Sequence, residues 1–258
     1  MLKNIIIGSF SYGLIRYLAS AIALFKLFLI AKYLGPELLG IYSVIILLTE
    51  FLNYMNLGIF FSMTRDSAIL IEKNKSFKTI KLVMGSSLSF ALFSSSILLL
   101  VIVLMISAPN INFNNPVIDY LPHLAILVIS YQLKHFTQRY LQLYDHFLLI
   151  GSLELLAQLI NTLIVLFFID EYLIDAVLFS LIISNLILAI VGLILTPNIS
   201  LSFNLKIIKG LIISGIPILF YNVFILILTS IDRGVIAFYY QQDIALGYFQ
   251  LGYALSLG

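Results

Sequence analysis

The chain is a succession of apolar runs, each long enough to cross a bilayer. That feature sets most of what it can fold into. A hydrocarbon core needs ~20 mostly apolar residues as helix. Such runs fall near residues 5–34, 40–63, 82–106, 119–141, 147–169, 173–195 and 211–236, and 248–258 begins another. They are long and continuous rather than short and alternating, which excludes a barrel. Apolar residues make up 62% of the 258 and charged residues 10%. A soluble domain carries ~45–50% and ~25%, and a soluble surface cannot cover that surplus. An ordinary cytosolic enzyme, a disordered chain and a nucleic-acid binder are therefore excluded. The expected fold is an all-α integral membrane protein of seven to eight transmembrane helices. The chain has no Cys, which removes disulfides, thiolate catalysis and Cys-based zinc sites. Lys3 and Ala19-Ser20-Ala21 resemble a signal peptide, but Arg16 interrupts the run and the apolar stretch continues to Leu34. The first run is expected to stay as a helix.

Basic residues alternate by connection. Lys3, then Arg65, Lys73, Lys75, Lys78 and Lys81, then Lys134 and Arg139, then Lys206 and Lys209 fall on one side. On the other side, 107–118 has no basic residue, 170–175 has acids only, and 241–246 has only Asp243; Lys32 is the exception. The positive-inside rule places the N-terminus in the cytoplasm, in a multi-pass protein of the cytoplasmic (inner) membrane.

A repeat underlies this order. Ala31, Tyr33 and Glu37 match Ala237, Tyr239 and Asp243 at an offset of 206. Leu39, Gly40 and Tyr42 then match Leu246, Gly247 and Phe249 at 207. Six runs lie within one period, so the copies are parallel, as in some two-repeat transporters. The expected organisation is a first six-helix lobe over 1–200 and the start of a second over 201–258. The chain is expected to be the N-terminal part of one about 400 residues long.

The stretch Ala31-Lys-Tyr-Leu-Gly-Pro-Glu-Leu-Leu-Gly-Ile-Tyr-Ser43 resembles the first outer loop of bacterial polysaccharide exporters. These are the O-antigen flippases of the multidrug/oligosaccharidyl-lipid/polysaccharide superfamily. Ser214-Gly-Ile-Pro-Ile-Leu-Phe with Leu228-Thr-Ser-Ile-Asp-Arg233 resembles the family's seventh helix, and Ala245-Leu-Gly-Tyr-Phe249 the start of its eighth. The resemblance implies two six-helix lobes around a central cavity. It implies transfer of an undecaprenyl-diphosphate-linked oligosaccharide between leaflets, by alternating access. Implied partners are the lipid-linked oligosaccharide, membrane lipids, and polysaccharide polymerase and chain-length proteins. The chain departs from the family pattern by ending inside the eighth helix.

Ionisable groups at membrane depth are costly and usually face a cavity or a partner. In the fourth run, Lys134, His135, Gln138, Arg139 and Gln142 fall within about 140° of one face. Such a basic stripe suits an anionic headgroup; the alternative is that Lys134 and Arg139 snorkel at the cytoplasmic end. In the fifth run, Gly151, Glu154, Gln158 and Asn161 share about 80°. Folding the two runs about Tyr144 sets Glu154 level with Lys134 and His135. Glu154 is expected to pair with one of them, as a static ion pair or a proton-coupled gate.

Arg16 and Lys26 in the first run are further headgroup candidates. Glu50 and Asn53 in the second line the cavity or gate it, unless Glu50 simply neutralises Lys26. Pro217, after Gly215, is expected to loosen the seventh run as a hinge or merely to fit its neighbours. Asp232 and Arg233 are adjacent, so they face different ways, and a solvated or interfacial pair is expected.

The sequence has no Gly-rich phosphate loop and no histidines at metal-ligand spacing, so neither cofactor nor metal is expected. The uncharged outer stretch 107–118 argues against an enzyme. The alternative within the same superfamily is a drug/cation antiporter, which should line its cavity with acids.

Overall fold

A computed structural model of the chain describes residues 2–74, 76–107, 116–195, 199–237 and 243–257. Lys75, most of the outer connection at 107–118 and the Tyr239 match lie outside them. Seven helices account for nearly all of the described residues, with no strand among them. They are α1 (Leu2–Leu52), α2 (Ile59–Glu72), α3 (Phe77–Ser107), α4 (Leu121–Leu143), α5 (Phe147–Leu195), α6 (Leu205–Val235) and α7 (Asp243–Leu257). Four helical stretches are long and apolar enough to cross a membrane: Tyr12–Asn56, Phe77–Met105, Phe147–Leu195 and Leu205–Val235. The fold is that of an all-α membrane protein.

Two of these stretches are divided. At 51 and 49 residues, α1 and α5 would each run ~75 Å if straight, more than twice the ~30 Å hydrocarbon core. α1 breaks at Gly35 (φ 67°, ψ 176°), a conformation that glycine adopts without a Cβ penalty. Pro36 follows, where a helix start leaves an N–H unused anyway. α5 breaks at Leu173 (φ 45°, ψ −117°). Its legs double back: Ser180 Oγ donates to Asn161 Oδ1 at 2.9 Å, although 19 residues of straight helix would hold them ~28 Å apart. Leu173 is 40% exposed and sits where a side chain is strained. Leu173→Gly is therefore expected to raise thermal stability in detergent by about 1 kcal/mol, strain relief outweighing glycine's chain entropy. A lowered midpoint would count against this reading of the turn.

The expected single run over 40–63 is broken as well. Its helix ends at Leu52, a 3-10 turn spans Asn53–Asn56, and Leu57 and Gly58 take positive φ (52° and 73°) before α2 begins. Amide side chains that compete with the helical backbone account for the break. Asn56 Oδ1 accepts from the Gly58 N–H at 2.9 Å, and Asn56 Nδ2 donates to Gln132 Oε1 on α4 at 2.9 Å. Gln132 Nε2 in turn donates to the Asn53 carbonyl at 2.8 Å.

Two buried clusters hold the bundle. One joins α1, α4 and α5 through Ile30, Ile45, Leu127, Val165 and Ile174. The other joins α2 to α6 through Ile59, Met63, Met84, Phe136 and Ile208. The two stretches paired as repeats also pack on each other. Ser43 Oγ donates to Gln250 Oε1 at 3.1 Å across a separation of 207 residues, the offset that pairs Gly40 with Gly247.

Candidate functional site, a charged cavity

A cavity of about 1080 Å³ lies among both legs of α1, the start of α2, α4, α6 and α7. Three cations line it: Lys26 from the first leg of α1, Arg139 from α4 and Arg233 from α6. Glu50, from the second leg, is the one carboxylate among the described lining residues, and His135 the one imidazole. Lys26 is 9% exposed and Arg233 5%, so both are held out of bulk water, where unpaired charge is expensive. Arg233 Nη2 lies 3.6 Å from Glu50 Oε2. Aromatic rings complete the wall, among them Tyr17, Tyr42, Tyr54 and Tyr131. The Arg139 guanidinium sits 4.6 Å over the Phe61 ring and donates to Gln142 Oε1 at 3.1 Å. His135 stacks on Tyr131 with ring centroids 6.0 Å apart.

The α4 stripe that faces the cavity is Tyr131, His135 and Arg139, spaced four residues apart. Lys134 and Gln138 lie on the flank of that stripe. Lys134 Nζ lies 5.4 Å over the Tyr131 ring. Gln138 Nε2 donates to Glu154 Oε1 on α5 at 2.7 Å. Glu154 thus takes Gln138 as its hydrogen-bond partner, while Lys134 stays within electrostatic reach of it without a salt bridge. Asn161 is buried and joins the two legs of α5, donating to Ser184 Oγ at 3.4 Å as well as accepting from Ser180. Gln158 is part-buried, and neither it nor Asn161 lines the cavity. Asn53 does, at the broken end of α1. Arg16 is exposed, 5.8 Å over the Tyr12 ring and outside the cavity.

One expectation changes more sharply. Arg233 is not at a solvated surface; it is buried against Glu50, and Lys26 forms no ion pair among the described residues. The signal was present, since an arginine inside a long apolar helix points inward by default. Its partner Glu50 lies on α1, 183 residues away in sequence, whereas Asp232 beside it faces another way. Gly215 is a crossing point. A Cβ there would lie 2.7 Å from the Gly58 carbonyl oxygen, and one on Gly58 would lie 2.8 Å from that of Gly215. Only glycines let α2 and α6 backbones approach this closely. α6 stays helical through Pro217, which is exposed.

Among the described residues no three His, Asp or Glu side chains gather as a metal set. Chemically, the cavity presents three basic side chains and one carboxyl, among rings that stack on apolar or sugar faces. The apolar helices and the fold define an all-α membrane protein with a charged internal cavity. Comparison with protein-family models, with curated proteins and with solved structures finds no match to the chain.

Proposed function

We propose that the chain is the first six-helix lobe and the start of the second of a transporter. On this reading it moves an anionic, lipid-linked oligosaccharide across the cytoplasmic membrane for surface polysaccharide synthesis. The sugar–diphosphate head passes through the cavity by alternating access while the lipid tail stays in the bilayer. The observation that carries this reading is the excess of cations lining one open cavity: Lys26, Arg139 and Arg233 against Glu50. At an effective dielectric of ~20, a unit pair 4 Å apart is worth ~4 kcal/mol, so a diphosphate is strongly preferred there over a cation. The folded-back legs of α1 and α5 turn two of the four membrane-length stretches into two passes each, which is compatible with a many-span lobe. Glu50 on the wall is what a drug/cation antiporter would use, and it keeps that second reading alive.

The test is binding of undecaprenyl diphosphate, and separately of a lipophilic cation, to the chain in nanodiscs. Diphosphate binding is expected to weaken about tenfold in Lys26→Ala and in Arg139→Ala, each losing one charged contact. Arg65→Ala, which removes an exposed Arg65–Asp66 pair, should change nothing. Binding of the cation and not of the diphosphate would overturn the reading in favour of the antiporter. Rescue of surface glycan in cells lacking their own flippase is the corresponding result in vivo.

A further inference from the structure

The segment that joins α5 to α6 is not a free loop. It lies along one stripe of α3. Ser202 Oγ is 3.3 Å from Ser86 Oγ and donates to the Leu82 carbonyl at 3.3 Å. Gly85 leaves room for the Ser200 carbonyl, which any Cβ at that position would strike. Phe203 meets Phe93 edge-on, with centroids 5.9 Å apart. Asn204 then caps α6, its Oδ1 accepting from the N–H groups of Lys206 and Ile207 at 3.1 and 3.2 Å.

The segment alternates. The Ser202 hydroxyl and the Ser200 carbonyl turn onto α3, whereas Leu201, Phe203 and Leu205 point outward, 66%, 54% and 71% exposed. Backbone without helical hydrogen bonds is not tolerated against the hydrocarbon core, so this stretch marks the membrane interface. Above it the outward faces are apolar: Phe93, Ile97, Leu100 and Leu104 on α3, and Ile213, Phe220 and Phe224 on α6. Below it both helices turn basic. Lys78 and Lys81 share the α3 stripe with Gly85, ~10 and ~6 Å further toward the basic side. Lys206 and Lys209 stand in the first turn of α6, and Lys209 shares its face with Ile213. Lys78, Lys206 and Lys209 are exposed, and Lys81 lies 4.8 Å over the Phe77 ring.

We propose that residues 199–205, with the feet of α3 and α6, form a docking surface for anionic phospholipid of the basic-side leaflet. Leu201, Phe203 and Leu205 enter the acyl boundary, and the four lysines meet the phosphates. Chain charge and lipid charge are complementary here, and the apolar and basic groups sit at the depths that a headgroup layer separates.

The chain has no Trp, so Phe203→Trp introduces a sole indole. The variant, reconstituted in vesicles of phosphatidylcholine with phosphatidylglycerol, should be quenched by lipids brominated near the headgroup more than by those brominated deep in the chain. At equal mole fraction, brominated phosphatidylglycerol should quench with about fivefold higher apparent affinity than brominated phosphatidylcholine, as one engaged lysine gives. That preference should vanish when the four lysines become glutamine, and shrink in high salt. Leu201→Trp provides a second reporter where Phe203→Trp fails to fold. An indole that no bromolipid quenches, equal quenching by the two lipids, or a preference unchanged in the lysine variant would each overturn the proposal.

Discussion

Gly247→Ala should loosen the α1–α7 contact more than any other single methyl group in this fold. A Cβ at Gly247 would fall inside the contact radius of the Pro36 carbonyl oxygen, with the Pro36 carbonyl carbon and Cα also closer than real Cβ contacts allow. All three atoms are backbone, so no side chain can swing aside. The helices must separate, and Leu39 and Leu246, both essentially fully buried, lose their cover. Overpacking costs ~1–3 kcal/mol where neighbours can adjust; against rigid backbone the expected loss is at least about 3 kcal/mol. The Ser43–Gln250 hydrogen bond at 3.1 Å should break with it. The control is Gly234→Ala in α6, where a Cβ meets nothing within 4 Å. There the gain in helix propensity should leave stability equal or slightly raised. Thermal melts in detergent compare the two directly, and similar midpoints would refute the close-approach argument.

Gln132→Leu is expected to be the second most damaging change. Gln132 is wholly buried and Asn56 8% exposed. The glutamine accepts from Asn56 and donates to the Asn53 carbonyl. Leucine has nearly the same volume and a better hydropathy, so a purely apolar account of the bundle predicts stabilisation. Hydrogen bonding predicts the reverse. The substitution takes the α4 partner from Asn56 Nδ2 and from the Asn53 carbonyl at once, leaving them only their 3.0 Å bond to each other, and each buried hydrogen bond lost this way costs ~1–3 kcal/mol. The expected net loss is about 2–4 kcal/mol, with the 53–58 turn losing its anchor to α4. Amide hydrogen exchange at Leu57 and Gly58 should accelerate in the variant. A melt at or above the wild-type midpoint would show that the break in the helix does not depend on the amide clamp.

Spans were easier to see in the sequence than breaks, for a physical reason. Hydropathy averaged over a window reports length and apolarity, which fix the long stretches within a few residues. The break at 53–58 lies inside such a stretch, flanked by apolar residues. It depends on one glutamine on α4, far away in sequence, so no local pattern discloses it. Gly35-Pro36, by contrast, carries its own local signal and ends the first leg where expected.

The cavity was legible in part. Lys26, Glu50, Asn53, His135 and Arg139 line it, because a polar residue in an apolar helix has few other places to go. Arg16, at the exposed side of α1, and Asn161, inside α5, share that residue chemistry but not that placement. Rotation about a helix axis separates such cases, and it is set by packing partners rather than by composition. The 138–154 pair makes the same point: helix rotation, not depth alone, decides that Gln138 rather than Lys134 donates the hydrogen bond to Glu154.

The contact between Ser43 and Gln250 also has a consequence in time. The two residues are separated by 207 positions, and a ribosome adds ~5–20 residues per second. For about 10–40 s after the corner at Gly35-Pro36 is made, its final neighbour does not yet exist. Leu39 spends that interval with only the α1, α4 and α5 side of its cover. A water-soluble protein with the same delay would expose the surface to aggregation; here the bilayer serves as the placeholder.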